Sequence, residues 1–295
     1  MANIALCTHD KTHATFTNTK SMLESFGHIV SGYGSGEMFA SQLANFDIIL
    51  CTRMSVGSAD INAVAGAVDL GTPVICGSIY NASENTSTTA VVSVAVGIAN
   101  SQETKGSSIL GFYPKKMHPV FSENMIGLDA LCPTFTSASY YGSIRLSELA
   151  PGGNVIGNYE NTSNSDAVIA IYNKGAIVLN SKTLGADVIF CGFLYGLATY
   201  SQAGAGLINS LIENSISKRF IRGNVRDSAN LPISRKLVAI NKSDLSLAGS
   251  TFSDPSTGEF EIKVGNDAVY TVICYDDDGG TKNALVKDRV IPVEE

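Results

Sequence analysis

Tryptophan is absent from the 295-residue chain, and charged residues make up only 16% of it, against roughly 25% in a typical soluble domain. The first absence removes the commonest stacking platform for sugars and leaves Tyr140, Tyr141 and Tyr200 as the aromatics that could substitute for it. The second implies a polar but uncharged surface rich in Ser, Thr, Asn and Gly, which suits a protein held in an assembly. No basic stripe is present either: net charge is −7 and the 20 Lys and Arg are scattered, so a phosphate-backbone binder is excluded and no nucleic-acid partner is expected. Apolar runs such as "AVVSVAVGIA" at 90–99 fall far short of the ~20 residues that span a bilayer. The N-terminus also lacks a basic stretch followed by an apolar one, so a soluble chain made in the cytoplasm, with no membrane partner, is expected.

Paired-cysteine motifs are missing as well. The six cysteines are Cys7, Cys51, Cys76, Cys132, Cys191 and Cys274, and five of them sit in or at the end of β-type apolar runs ("IALC", "IILC", "PVIC", "VIFC", "TVIC") with no histidine at ligand spacing. They read as reduced, buried thiols acting as small apolar residues.

What is present is a change of periodicity along the chain. Up to about residue 217, β-branched runs alternate with helical stretches: "NIALCT", a helix over 15–27 ended by Gly27, "HIVSGYG", a helix over 37–46, "DIILCT", a helix over 58–71 with Ser58 as N-cap and Gly71 past its end, and "TPVICG". Near-continuous apolar strands of this kind are buried on both faces, so a doubly wound, flavodoxin-like, mainly parallel sheet is expected. Further on, an apolar helix follows the Ser/Asn/Thr-rich loop 81–89. Then come the β-like pieces "SIRLSELA", "NVIGNYE" and "AVIAIYNKGAIVL", the last a hairpin candidate turning at 173–175, the strand "ADVIFCGF", and a helix over 205–218.

From residue 219 the period becomes two. "RFIRGNVRDS", "SRKLVAINKSD", "LAGSTFSD", "GEFEIKV", "AVYTVICYD" and "NALVKDRVIPV" are strand-length runs divided by Asn, Asp, Gly and Pro. In "GEFEIKV", Phe260, Ile262 and Val264 fall on one face. A small all-β sandwich of the Ig/transthyretin-like kind is expected, giving two domains, 1–217 and 218–295.

The segments "NFDIILCT", "DLGTPVICGS", "KKMHPVF" and "AIYNKGAIVL…LGADVIFCGFLYGLATYSQAGAGLINSLI" resemble the class I glutamine amidotransferase-like superfamily, in its trehalose-utilisation-type branch. The C-terminal part, "GNVRDSANLPISRKLVAINKSDLSLAGSTFSDPSTGEFEIKV" and on to "NALVKDRVIPV", resembles carboxypeptidase regulatory-like, transthyretin-type modules, in variants seen on tailed-phage virion proteins. The first resemblance implies a nucleophile after the strand "TPVICG", which makes Cys76 the candidate. Yet Cys76 is preceded by Val74 and Ile75, so the glycine-flanked elbow is broken on one side, and the late His-x-Glu of the family is missing from "LYGLATYSQAG". No working triad is expected. His118 in "MHPVF" resembles a branch motif, and a lone histidine beside Pro119 also reads as a structural hydrogen-bonding residue.

Three further clusters are candidates for ligands. "THDKTH" puts His9, Asp10 and His13 just after the first strand, at the edge where doubly wound sheets bind ligands; solvated histidines in a capping loop are the plainer reading. "YDDDGG" offers Asp276, Asp277 and Asp278 to a cation, or simply an acidic hairpin tip. "GYGSG" at 32–36 is Gly-rich after a strand but is neither a dinucleotide fingerprint nor a phosphate loop. No cofactor and no metal are expected. Taken together, the resemblances imply a non-catalytic structural component of a tailed-phage virion, tail-associated or else on the capsid surface, homo-oligomeric in a symmetric assembly and touching other virion proteins. A Cys76-dependent hydrolase or amidotransferase-like enzyme and a glycan-binding surface protein are the alternatives.

Overall fold

Two glycines set the ends of the first long helices. Gly27 (φ +83°) and Gly71 (φ +105°) take the left-handed conformation that glycine adopts at little cost. At the first, Gly27 N–H donates to Glu24 O and His28 N–H to Leu23 O; at the second, Gly71 N–H donates to Val68 O and Thr72 N–H to Ala67 O. Both are Schellman closures, which satisfy the last carbonyls and turn the chain back toward a strand. The computed structural model describes residues 1–54, 59–77, 87–116, 118–124, 126–137, 139–161, 166–195, 199–216, 219–242, 245, 247–264, 269–275 and 285–294. Their contacts divide them into two units, Met1–Lys116 with Ile126–Ile216, and Met117–Met125 with Ser217–Glu295.

In the first unit, β1 (Asn3–Thr8), α1 (Ala14–Ser25), β2 (Ile29–Tyr33), α2 (Ala40–Leu43), β3 (Ile48–Thr52), α3 (Ala59–Asp69) and β4 (Val74–Cys76) follow in turn. Next come β5 (Ser87–Thr88), α4 (Val92–Ala95), β6 (Gln102–Ile109) and β7 (Gly111–Pro114). After α5 (Pro119–Glu123), which belongs to the second unit, the first resumes with β8 (Cys132–Pro133), β9 (Ser139–Ser143), β10 (Asn154–Asn158), β11 (Ala167–Tyr172), β12 (Val188–Cys191) and α6 (Gln202–Ile216). The result is a mixed α/β unit around a large sheet ordered β2-β1-β3-β4-β12-β11-β10-β7-β8. The five strands from β2 to β12 run parallel, and the four from β11 to β8 continue the sheet antiparallel. A separate antiparallel sheet is ordered β5-β6-β9.

Period-two alternation sorts the strands' side chains. Ala5, Cys7, Ile49, Cys51, Val74, Cys76, Val188 and Phe190 join Leu43 of α2, Ile61, Val64 and Val68 of α3 and Val92 of α4 in one buried cluster. In α6 six of the seven buried positions, Gly204, Leu207, Ile208, Leu211, Ile212 and Ser215, form one helical stripe, Ser210 lies off it, and the helix packs on β3 and β8. His28 fastens the start of β2: its Nδ1 accepts from Ala2 N–H at 3.1 Å, which leaves Nε2 to donate to Asn209 Oδ1 of α6 at 2.7 Å.

Several local expectations are revised. Helix α2 covers only Ala40–Leu43 of the stretch 37–46, and α4 only Val92–Ala95. The turn at 173–175 is present, with Gly175 at φ +84°, but β11 does not pair with the residues that follow it. Its partners are β10 and β12, which occupy both of its edges and leave no slot for the hairpin's second limb. "SIRLSELA" gives the end of β9 and then a single 3₁₀ turn, Leu146–Glu148.

The second unit holds β13 (Arg219–Asn224), β14 (Lys236–Asn241), β15 (Leu247–Phe252), β16 (Glu259–Val264), β17 (Tyr270–Cys274), β18 (Leu285–Val290) and β19 (Val293–Glu294). They form two antiparallel sheets, β16-β13-β19 and β15-β14-β17-β18. One core serves both: Ile221, Leu237, Ala239, Ile262, Val264, Tyr270 and Val272, with Phe260 packed against it. The segment 117–125, placed by sequence with the α/β domain, belongs here instead. Its helix α5 packs on β15, and Val120 and Phe121 are fully buried; an apolar pair of that size gains about 2 kcal/mol per side chain by leaving water.

Candidate functional site

Open α/β sheets bind ligands beyond the carboxyl ends of their parallel strands. Here those ends are lined with thiols and hydroxyls. Cys7 and Thr8 of β1 lie beside Cys51 and Thr52 of β3, and the β3–β4 register, Leu50 beside Ile75, continues to Cys76. Cys76 is 1% exposed. Burial pushes its thiol well above the usual range, and neighbouring Cys51 acts in the same direction. Cys51 and Cys191 are raised in the same way, Cys51 first through its hydrogen bond with Cys7 and Cys191 first through burial. A thiol nucleophile acts as its thiolate, which electropositive, partly exposed surroundings favour. Cys76 has neither.

The space past the strand ends is filled by backbone. A Cβ on Gly77 would overlap the carbonyl of Cys191, one on Gly192 the carbonyl of Gly142, and one on Gly142 the carbonyl of Gly77. Three glycines from the end of β4, from β9 and from the turn after β12 therefore interlock at closer range than any side chain allows. Gln102 of β6 secures the contact: its Nε2 donates to Gly77 O at 2.8 Å, and Ser93 Oγ of α4 donates to Gln102 Oε1 at 3.0 Å. Tyr141, beside Gly142, is buried, with its hydroxyl bonded to Thr134 Oγ1 and its ring edge-on to Phe135. Tyr200 is also buried and meets Thr19 Oγ1 at 3.2 Å, so two of the three tyrosines considered for stacking sugars are core residues.

The other crevice, above β1, β2 and β3, is closed by its own carboxylates. Gly36 N–H donates to both oxygens of buried Asp60 at 3.1 Å, and Ser35 Oγ donates to Oδ2 at 3.0 Å. Gly34 N–H donates to Glu37 Oε2 at 2.7 Å, and Lys11 pairs with the same carboxylate. Two amides of "GYGSG", those of Gly34 and Gly36, are thus already bonded to carboxylates, which also repel a phosphate. His13 is the N-cap of α1: its Nδ1 accepts from Thr15 N–H at 3.1 Å. Burial, helped by Arg53 and opposed by Asp10, lowers its pKa and keeps that nitrogen an acceptor. His9 holds the crevice by backbone bonds, its N–H to Arg53 O and its C=O from Ser35 N–H. Asp10 Oδ1 accepts from Thr12 N–H and Oγ1, a closed local turn.

His118 lies in the second unit, its ring edge-on to Phe121 and its Nδ1 facing Val120 N–H at 3.4 Å; burial lowers its pKa to about 4. Asp276, Asp277 and Asp278 lie outside the described residues, as does Ser58. On the outer side of β13 and β16 an open groove of about 400 Å³ is lined by Arg222, Gly223, Glu259, Phe260 and Glu261. It is spanned by the Arg222–Glu261 ion pair at 2.7 Å.

Among the described residues no group of three or more His, Cys, Asp or Glu is placed to hold a metal ion, and no helix is long and apolar enough to cross a membrane. Sequence reasoning missed Asp60, Gln102 and Ser93. Asp60 is recognisable as an acid in the first turn of a helix, but its partners come from a loop that only the fold brings near. No protein-family model matches the chain, and no curated protein matches it either.

Proposed function

We propose that the chain is a non-catalytic structural component of a tailed-phage virion, tail-associated, in which an enzyme-like α/β unit serves as scaffold and the β unit as a docking or display module. The parallel order β2-β1-β3-β4-β12 supports reading the sheet as flavodoxin-like and doubly wound, in keeping with an amidotransferase-like ancestry. The two antiparallel sheets around one core fit an Ig/transthyretin-like sandwich. One observation carries the reading: the interlock of Gly77, Gly142 and Gly192 fills the place where the superfamily does its chemistry, above a Cys76 that is buried and protonated. Fold alone assigns no function, and a catalytic elbow replaced by close packing favours a scaffold. The partners are other virion proteins and further copies of the chain, and the location is the virion, after synthesis in the host cytoplasm.

Sedimentation of intact particles, with this protein quantified by mass spectrometry against the major structural proteins, tests the proposal. A fixed copy number per particle that is a small-integer multiple of a symmetry number is the expected result. Recovery only as free protein at the top of the gradient overturns it.

A further inference from the structure

Sheet edges carry unpaired backbone donors and acceptors, and proteins block them with proline, charge, bulges or cover. The edges of the nine-stranded sheet and of the second unit follow that rule with one exception; β19, the edge beside β13, has two residues, one of them Glu294. At one end of the nine-stranded sheet, β8 has two residues, one of them Pro133. In the second unit β16 carries Glu259, Glu261 and Lys263, β18 carries Lys287 and Arg289 with a register shift opposite it, and β15 is packed by α5. At the other end of the large sheet stands β2, "IVSGY", with no charge, no proline and no bulge. Among the described residues no strand pairs with its outer side. Exposed apolar groups flank it: Ile29 at its start (59% exposed), and Phe26 (42%) at the end of α1, which packs on β2.

The ladder fixes which groups face outward. Ile29 N–H donates to Ala2 O of β1, and in a parallel pair alternate residues point to the same side. Ile29, Ser31 and Tyr33 therefore bond to β1, and the N–H and C=O of Val30 and Gly32 point away from it. An antiparallel copy of the same strand, related by a two-fold axis at Ser31, sets Val30 opposite Gly32 and Gly32 opposite Val30. Both are outward-facing residues, so each such pair exchanges two hydrogen bonds. Ile29 falls opposite Tyr33, an aliphatic against an aromatic. An isologous contact sets one patch against itself, residue i against j and j against i; in a chain of net charge −7, β2 is an edge that can meet itself without like charges meeting.

We propose that β2 is a self-association edge, pairing antiparallel with β2 of a second copy about a dyad at Ser31 and joining two large sheets into one. The pairing does not rest on the virion reading and would hold for any role of the chain.

Sedimentation velocity of the full chain, with three variants, tests it. Wild type is expected to dimerise. Val30→Pro deletes one outward N–H and leaves the β1 ladder intact, so it is expected to be monomeric with an unchanged far-ultraviolet spectrum. Ser31→Lys sets two ammonium groups against each other at the dyad and should weaken association several-fold, with recovery in high salt. Ser31→Cys should form a covalent dimer under mild oxidation, because the dyad residues form a non-hydrogen-bonded pair with Cα atoms about 4.5 Å apart, within disulfide reach. A monomeric wild type, a dimer that survives both Val30→Pro and Ser31→Lys, or a Ser31→Cys protein that fails to cross-link each overturns the proposal.

Discussion

Gln102 reaches from β6 to Gly77, the residue after β4, and donates to its carbonyl at 2.8 Å while accepting from Ser93. One buried amide side chain thereby ties the small antiparallel sheet to the end of a parallel strand. Gln102→Leu keeps the approximate volume but leaves the Gly77 carbonyl and the Ser93 hydroxyl buried without this partner. A loss of about 1–3 kcal/mol is expected in urea unfolding. Gly142→Ala is expected to cost more than Gln102→Leu, since the added methyl meets the Gly77 carbonyl. A Gln102→Leu protein as stable as wild type would show that the tie contributes nothing.

Thiol accessibility tests the proposed scaffold role against an enzymatic one. Cys7, Cys51, Cys76, Cys132 and Cys191 are buried and Cys274 is partly exposed. Burial raises Cys132 to about 11. At pH 8, iodoacetamide is expected to modify Cys274 first and the other five only on unfolding, read by peptide mass spectrometry. Rapid selective modification of Cys76 would revive the nucleophile.

Acid should loosen the second unit through His118. Its folded pKa of about 4 lies below the ordinary value of 6.5, so between those two values the unfolded chain binds the extra proton. Stability from this group is complete above about pH 6.5 and is lost as pH falls toward about 4, on the order of 3 kcal/mol in all. His13, also lowered, adds in the same direction in the first unit as protonation removes the acceptor that caps α1. Unfolding free energies measured from pH 7 to pH 4 in wild type and His118→Gln check the assignment; the variant should show the shallower slope.

Phe121 is fully buried in the second unit although it lies in the middle of the chain. Phe121→Ala is expected to destabilise by about 3–5 kcal/mol. Hydrogen exchange should show the loss of protection concentrated in the strands between 219 and 294. Loss confined to the first unit would contradict the assignment of this segment.

Much of this architecture is legible in the residues. Gly27 and Gly71 mark helix ends because only a residue without a side chain adopts those angles cheaply, and the apolar spacing of α6 and the alternation in β16 follow from helix and strand geometry. The sheet β5-β6-β9 was not foreseen: "QETKGSSI" in β6 shows no alternation, since its pairing depends on β9 rather than on its own pattern. That apolar Val74 and Ile75 precede Cys76 is plain in the sequence. The interlock above it is not, because Gly77, Gly142 and Gly192 are distant in sequence and meet only in the folded sheet.

The placement of 117–125 also has a consequence for synthesis. This segment leaves the ribosome roughly a hundred residues before the first strand of the unit it completes. At ~5–20 residues per second, translation leaves Val120 and Phe121 waiting on the order of 5–20 s for the partners that bury them. During that interval they form an apolar handle on a nascent chain, of the kind chaperones bind, and the second unit matures only after its last strands emerge.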